Sequence, residues 1–296
     1  MADRGFRVVQ LSDLHLTADD RDARSEATLF GRQTGMNAAF RRILADPAVR
    51  GADLILTTGD VTDRGDLAAW RLFWSGLEAA GLRGRCRVIP GNHDVCCLGI
   101  RPVARRGRRV ADDLARLEAG LALGGDAPAR PWAEVLAGGR LVLFGLDSSH
   151  PGNVSALTNA VGELGMPQLE RLARLLRQHH DVPVKLVALH HSPNIPRAAT
   201  QQRRGLPVLK GPARWGQEVP AADRRALRLL CVSHGVRLIV HGHLHRFEDR
   251  RVNGVRIVGA PASTEPVAVD GRRGLPILLY TLTSRQQIRI EPRLVS

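Results

Sequence analysis

Short apolar runs alternate along the chain with stretches in which apolar positions recur every three to four residues. The runs predict buried strands: "FRVVQLS", "DLILTTG", "CRVIPG", "RLVLFGLD", "VKLVALHH", "VRLIVHGH", "VRIVGAPAS" and "LPILLYTL". The second pattern predicts helices through Met36, Ala39, Phe40, Ile43 and Leu44, through Leu67, Trp70, Trp74 and Leu77, and through Leu169, Leu172, Leu175 and Leu176. Strands alternating with helices predict one α/β domain over residues 1–296. The last two strands follow each other with no helix between them, so the sheet system is expected to be mixed. Two stretches break the rhythm: an Arg-rich, helical-looking segment at about 95–139 and a Pro/Arg/Gln-rich segment at 193–220. Each follows a candidate site motif and reads equally as a lid or as an ordinary surface excursion.

Composition narrows the function classes. The formal net charge is +14, yet Lys185 and Lys210 are the only lysines among the 43 Lys and Arg residues. Such a skew fits codon bias, so charge alone does not predict nucleic-acid binding, and the run "RPVARRGRR" reads first as a solvated face. Four cysteines, Cys86, Cys96, Cys97 and Cys231, show no regular spacing, which excludes a disulfide scaffold and points to reduced thiols. The N-terminus enters a strand almost at once, and no apolar run reaches the roughly 18 residues of a membrane span. A cytoplasmic protein without a membrane span is expected.

The chemistry collects at strand ends, where open α/β sheets gather ligands. "VVQLSDLHL" delivers Asp13 and His15; "LILTTGDVTDRG" delivers Asp60 and Asp63; "RVIPGNHD" delivers Asn92, His93 and Asp94; "KLVALHHSP" delivers His190 and His191; "RLIVHGHLH" delivers His241, His243 and His245. Seven of the eleven histidines lie in these stretches. Alone, an Asp after a strand is usually a turn or cap residue and a His a satisfied polar one. Five such endings together argue for a common site. Oxygen and nitrogen donors without thiolate suit Mn²⁺, Fe²⁺ or Zn²⁺. There are too many donors for one ion, and a pair roughly 3.5 to 4 Å apart is the arrangement that clamps both oxygens in phosphoryl transfer.

The series "DLH", "GDVTDRG", "GNHD", "HHSP" and "GHLH" resembles, in order and spacing over about residues 6 to 246, the calcineurin-like metallophosphoesterases. The resemblance implies a four-layer α/β/β/α sandwich with two mixed sheets and a dimetal centre at the strand ends. It assigns Asp13, His15, Asp60 and His245 to one divalent ion and Asp60, Asn92, His190 and His243 to the other, with Asp60 bridging. A hydroxide between the ions is the implied nucleophile. His93 is implied as the group that stabilises the transition state or protonates the leaving oxygen. The motif favours His190 over His191 as ligand. Asp63, Asp94 and His191 are candidates to orient ligands or His93, with cap or turn roles equally open for the two carboxylates. His150 is a further residue within possible reach of the cleft. Two divalent ions beside two carboxylates leave a charge of about +2, which suits an anionic ester.

Within the family, "GDVTDRG" is close to the Ser/Thr protein phosphatases, which carry G-N-H-E where this chain has "GNHD". Asp63 stands where purple acid phosphatases place a metal-binding Tyr. "QLSDLHL", "PGNHD", "LHHSP" and "GELGMPQLERLARLL" look most like the bacterial branch that includes cyclic-AMP phosphodiesterase and glycerophosphodiesterase, although Ser192 replaces a proline usual there. The leading expectation is a dimetal phosphodiesterase for a small phosphate ester, with a 3',5'-cyclic nucleotide as candidate. A nuclease or phosphomonoesterase of the same superfamily is the alternative, nucleic acid being the less favoured partner. A binding scaffold without catalysis is the alternative of another class, and the intact ligand set with His93 speaks against it. For His241, at the end of its strand and outside the implied ligand set, a hydrogen-bonded structural role is expected. Gly242 is expected to let the backbone turn so that His243 and His245 serve different ions.

Overall fold

The structure is a computed structural model that describes residues 4–25, 32–95, 106–125, 127–149, 160–203, 205, 208–210, 214 and 217–296. Two six-stranded mixed sheets face each other. In the first, β1 (Phe6–Leu11) runs parallel to β2 (Leu54–Thr58), and β2 parallel to β3 (Cys86–Ile89). In the second, β4 (Trp132–Leu136) lies antiparallel to β5 (Leu141–Gly145), which starts a parallel series with β6 (Val184–Ala188), β7 (Leu238–His241) and β9 (Val255–Gly259); β8 (Glu248–Val252) closes it antiparallel. The chain then returns to the first sheet as β10 (Val267–Val269), β11 (Arg272–Leu282) and β12 (Ile288–Val295), with β11 antiparallel to β1.

Side-chain alternation builds the layers. Val8, Leu54, Leu56 and Tyr280 of the first sheet meet Leu143, Leu186, Leu238 and Val240 of the second in a core between the sheets. The alternate residues face outward. Val9, Leu11 and Ile55 pack on α1 (Met36–Ala45), α2 (Leu67–Ala79) and α3 (Arg106–Ala122) through Phe40, Trp70, Phe73 and Leu117. Val142, Phe144, Val187 and Ile239 pack on α4 (Gly165–Gln178) and α5 (Ala221–Ser233) through Leu169, Leu172, Leu176 and Leu227. The outcome is the expected α/β/β/α sandwich. A buried polar bridge ties the sheets together beneath the strand ends: Tyr280 donates to Gln10, which donates to Thr58 Oγ1 (2.8 Å) and to the His241 carbonyl (3.1 Å).

All eight predicted strands and the three predicted helices form. Among the described residues four strands, the helix α5 and three helical turns of four to six residues escaped the periodicity. In β8 the inward positions are Glu248 and Arg250, both buried and ion-paired, so its charge hides an edge strand. β12 pairs along its length with β11 while seven of its eight residues remain partly or fully exposed in a mixed polar sequence. α5 fully buries only Leu227 and Cys231, with Ala226 and Leu230 packed partly exposed against the core. Part of the 95–139 segment is framework: the Trp74 indole donates to the Gly120 carbonyl of α3 (2.9 Å), and β4 is a sheet edge. Residues 96–105, with Cys96 and Cys97, lie outside the described residues, as do His150 and much of 204–216.

Candidate metal centre

The loops after β1, β2, β3, β6 and β7 converge at one end of the sandwich, and both sheets contribute. Asp13, His15, Asp60, Asn92, His93, His190 and His243 to His245 meet there, almost all buried. The backbone adopts an uncommon solution at this end. Asp13, His15, Asp60, His243 and His245 all have φ between 47° and 70°, in the left-handed region. Asp and His tolerate that region better than most residues, but each such position stores strain. These are five of the nine non-glycine positive-φ residues among those described, and all five are candidate ligands.

Gly242 corrects the expectation placed on it, since it is not among the residues with positive φ. The turning is done by His243 and His245, and glycine is required for close approach: a Cβ there would lie 1.9 Å from Ser12 Oγ and 2.7 Å from Asp13 Oδ2. Gly91 serves likewise, because its Cβ would stand 2.1 Å from Asp60 Oδ1.

Two groups of donors share Asp60. In the first, His245 Nε2 is 3.3 Å from Asp13 Oδ1 and 3.4 Å from His15 Nε2, and His15 Nε2 is 3.8 Å from Asp60 Oδ2. In the second, His190 Nε2 is 3.3 Å from Asp60 Oδ2 and 3.1 Å from Asn92 Oδ1, and the His190 and His243 rings lie 5.1 Å apart. Two far ring nitrogens are held by hydrogen bonds and a third faces a carboxylate. His190 Nδ1 donates to the Thr58 carbonyl (2.8 Å), His245 Nδ1 to Glu265 Oε1 (3.0 Å), and His15 Nδ1 faces Asp63 Oδ1 at 3.6 Å. Anchoring one ring nitrogen leaves the other for a metal, the usual device at histidine ligands. His243 is steered through its backbone, whose amide donates to both oxygens of Asp13 at 3.1 Å.

The donor set fits divalent ions. It is made of carboxylates, imidazoles and an amide oxygen without thiolate, and the buried His243 Nε2 has no hydrogen-bond partner among the described residues, a costly state for a polar atom unless something occupies the site. Charge gives the same reading. Burial pushes His15, His191 and His243 well below the usual imidazole range, so they are neutral. Burial also works against a charged His190 and His245, but Asp60 and Asp13 respectively overcome it and hold both up at about 9. Burial would raise Asp13 and Asp60; His245 beside the one and His190 beside the other keep both below the ordinary value. Two protons on imidazoles thus balance two carboxylates where two cations would otherwise do so.

His93 lies beside His15 and Asp60, close enough to join them around an ion, and is anchored by bonds of its own. Its amide donates to Asp60 Oδ1 (2.9 Å), its Nδ1 donates to the Asp63 carbonyl (3.0 Å), and its ring meets His15 edge-on at 4.6 Å. Asp63 faces His15 and His93 and is itself held by Ser25. Asp94 acts through the backbone instead: it accepts from the amides of Val61 (3.2 Å), Thr62 (2.8 Å) and Gly91 (2.9 Å) and from the Thr62 hydroxyl, locking the Asp60 loop to the Asn92 loop. His191 is tied to Ser148 Oγ (2.9 Å) and its ring lies 4.4 Å from that of His243. His241 points its Nδ1 to the Gly242 carbonyl and joins none of the donor groups. Sequence reasoning missed Glu265, Arg24 and Ser148, which reach the centre only through long-range packing, and Ser12, which stands directly before Asp13.

Residues 6–247 match the calcineurin-like phosphoesterase family model. The chain belongs to that family. Among curated proteins, this phosphoesterase is 28% identical over 265 residues to the 3',5'-cyclic adenosine monophosphate phosphodiesterase CpdA of Pseudomonas aeruginosa, covering 88% of this chain and 77% of that one. It is 24% identical over 266 residues to a probable cyclic nucleotide phosphodiesterase of Psychrobacter arcticus, covering 88% and 81%. Among solved structures, a dimetal phosphatase from Danio rerio superposes with a TM-score of 0.61 at 13% identity over 99% of this chain and 98% of that one, a likeness of fold. Among the described residues no helix is long and apolar enough to cross a membrane.

Proposed function

We propose that this phosphoesterase is a two-metal phosphodiesterase of the cytoplasm that hydrolyses a small phosphodiester, with a 3',5'-cyclic nucleotide as the leading candidate. The observation that carries the reading is the pair of donor groups sharing Asp60, each with one imidazole, His245 or His190, anchored through its Nδ1. The names of the two bacterial relatives support a diester over a monoester. Asp13, His15, Asp60 and His245 would hold one ion and Asp60, Asn92, His190 and His243 the other, residues 1–296 acting as one catalytic domain. Mn²⁺, Fe²⁺ and Zn²⁺ all suit these donors.

When bound, the ions supply Lewis acidity and make water a nucleophile near neutral pH. The chain's own residues do the rest. Anchored imidazoles and strained Asp and His backbones hold the donors without reorganisation during the reaction. His93, fixed through its Nδ1, has Nε2 left to deliver a proton to the leaving oxygen. His190 and His245, each protonated beside its carboxylate in the metal-free protein, would have to release a proton from Nε2 to serve as ligands.

The test is metal-stripped protein refilled with Mn²⁺ and assayed on a chromogenic phosphodiester, a chromogenic monoester, cyclic AMP and single-stranded DNA. Metal-dependent turnover of the diester and of cyclic AMP is expected. Absence of turnover on all four would overturn the reading, and DNA cleavage with a steep salt dependence would replace it with a nuclease.

A further inference from the structure

The two imidazoles assigned to the first ion are each backed by a carboxylate, and two consecutive residues outside the family motifs hold both carboxylates. Asp63 Oδ1 stands 3.6 Å from His15 Nδ1, and Asp63 accepts from the Ser25 amide (2.9 Å) and hydroxyl (3.0 Å). Glu265 Oε1 accepts from His245 Nδ1 at 3.0 Å and is ion-paired with the Arg24 guanidinium. Glu265 belongs to the crossing that leaves β9 for the first sheet, beyond the family match that ends at residue 247. That crossing is fastened to the β1 loop. Ser12 and Ser263 exchange hydrogen bonds of 3.1 and 2.9 Å, and Thr264 Oγ1 donates to the Leu14 carbonyl (2.9 Å).

We propose that Glu265 is a positioning residue for the ion held by Asp13, His15, Asp60 and His245, and that Arg24 and Ser25 brace it and Asp63 as one unit. This inference rests on the two-ion reading above. The Glu265 hydrogen bond fixes the tautomer of His245 with its proton on Nδ1, so that Nε2, 3.3 Å from Asp13 and 3.4 Å from His15 Nε2, is the nitrogen available to the ion.

Electrostatics adds a second reason for a carboxylate at this position. The Arg24 side chain is only 2% exposed, and its Nη1 and Nη2 lie 3.3 and 3.4 Å from the two nitrogens of His245. Guanidinium has donors only, so Nη1 cannot bond a Nδ1 that is itself donating, and a bond from Nη2 would compete with an ion for Nε2. A fixed cation there opposes a metal ion unless the Glu265 charge offsets it. The pair Arg24 and Glu265 therefore rigidifies His245 while adding no net charge to the centre. Among the described residues no carboxylate backs the ring of a second-ion ligand in this way: His190 leans on the Thr58 carbonyl, and His243 is held by its amide, which donates to Asp13. The brace predicts unequal sites.

The test titrates metal-stripped full-length protein with Mn²⁺, reading stoichiometry and affinity by calorimetry and the two-manganese coupling by electron paramagnetic resonance. Wild type is expected to bind two equivalents and give the coupled spectrum. In Glu265→Ala, one equivalent should weaken by about 10- to 100-fold, the range for lost outer partners of metal ligands, while the other is unchanged. The coupled signal should disappear at metal concentrations that fill both wild-type sites. Glu265→Gln keeps the side-chain shape and an acceptor oxygen but loses the charge; it should fold as wild type and weaken the same equivalent to a smaller degree. It decides the matter should the alanine variant misfold. Two equivalents with wild-type affinities in Glu265→Gln and in any folded Glu265→Ala overturn the inference. Fewer than two equivalents in wild type would instead overturn the two-ion reading, and this inference with it.

Discussion

His190 Nε2 lies 3.3 Å from Asp60 Oδ2 while its Nδ1 is held at 2.8 Å by the carbonyl of Thr58, a residue at the end of the neighbouring sheet. One imidazole thus joins the second sheet to the carboxylate that both donor groups share. Asp60→Asn should therefore damage both ion sites, whereas His190→Ala should damage one. Loss of an outer partner already costs about 10- to 100-fold in affinity, so loss of His190 should exceed about 100-fold for its ion. Metal content by mass spectrometry after gel filtration checks this. Full retention of two ions in Asp60→Asn would remove Asp60 from its bridging role.

His93 should separate chemistry from binding. Its side chain is anchored to the Asp63 carbonyl, and its contribution to Asp60 is through the backbone amide, which a substitution leaves in place. His93→Ala is expected to keep both metals and lower kcat by about 10²- to 10⁴-fold, the range of a general acid. The deficit should shrink for a diester with an acidic leaving group, which needs no protonation. Loss of metal in this variant would make His93 a ligand, a role that its proximity to His15 and Asp60 leaves geometrically open.

Much of this was legible in the sequence because strands and their ends are local. A short, mainly apolar run followed by "GD", "GNHD" or "HGH" carries both the buried strand and the chemistry it delivers, and the end of each strand sits at the same edge of the sandwich. What was not legible depends on residues distant in sequence. Glu265 sits 20 residues after His245 in a turn-like "PASTEP", and nothing local marks it as its partner. The left-handed backbone of Asp13, His15, Asp60, His243 and His245 is imposed by packing, since no glycine stands at those positions to announce it. β8 was invisible because its inward side chains are charged and paired.

Asp94 should be a stability residue for the site loops. It is fully buried and accepts from three backbone amides and one hydroxyl across two loops. Asp94→Ala would leave these donors unsatisfied, at a cost of about 3 kcal/mol or more. Asp94→Asn keeps the shape yet offers one acceptor oxygen, so its cost should be intermediate. Urea denaturation of the metal-free proteins measures both. Metal loss without loss of stability would mean that Asp94 acts directly on the ligands instead.

His241 and His243, two residues apart, should respond differently. His241 is fully buried, burial pushes its imidazole down to about 4, and its carbonyl accepts from Gln10 in the bridge between the sheets. His241→Ala should cost about 2 to 4 kcal/mol as a cavity in a packed interior, with two metals retained. His243→Ala should lose one ion and little stability in the metal-free state, since its ring nitrogen has no partner among the described residues to lose. Thermal unfolding with and without Mn²⁺ tells the two apart; metal loss in His241→Ala would count against its structural role.

Metal loading should be linked to pH with a defined sign. In the metal-free protein burial disfavours the charged forms of His190 and His245, but Asp60 and Asp13 hold both up at about 9, against 6.5 for the unfolded chain. Between those values the folded protein binds more protons than the unfolded one, so this contribution to stability is complete below pH 6.5 and is lost as pH rises through about 9. Ions require neutral imidazoles and displace those protons, so the loaded protein does not share the loss. The rise in Tm on adding Mn²⁺ should therefore grow from pH 6.5 to 8.5. In weakly buffered solution at pH 7.5, loading should release at least two protons per molecule, those of the two imidazoles and any lost by water on the ions. A Tm increment that is flat or falls over this range, or loading without proton release, would show that His190 and His245 are not the groups the ions displace protons from.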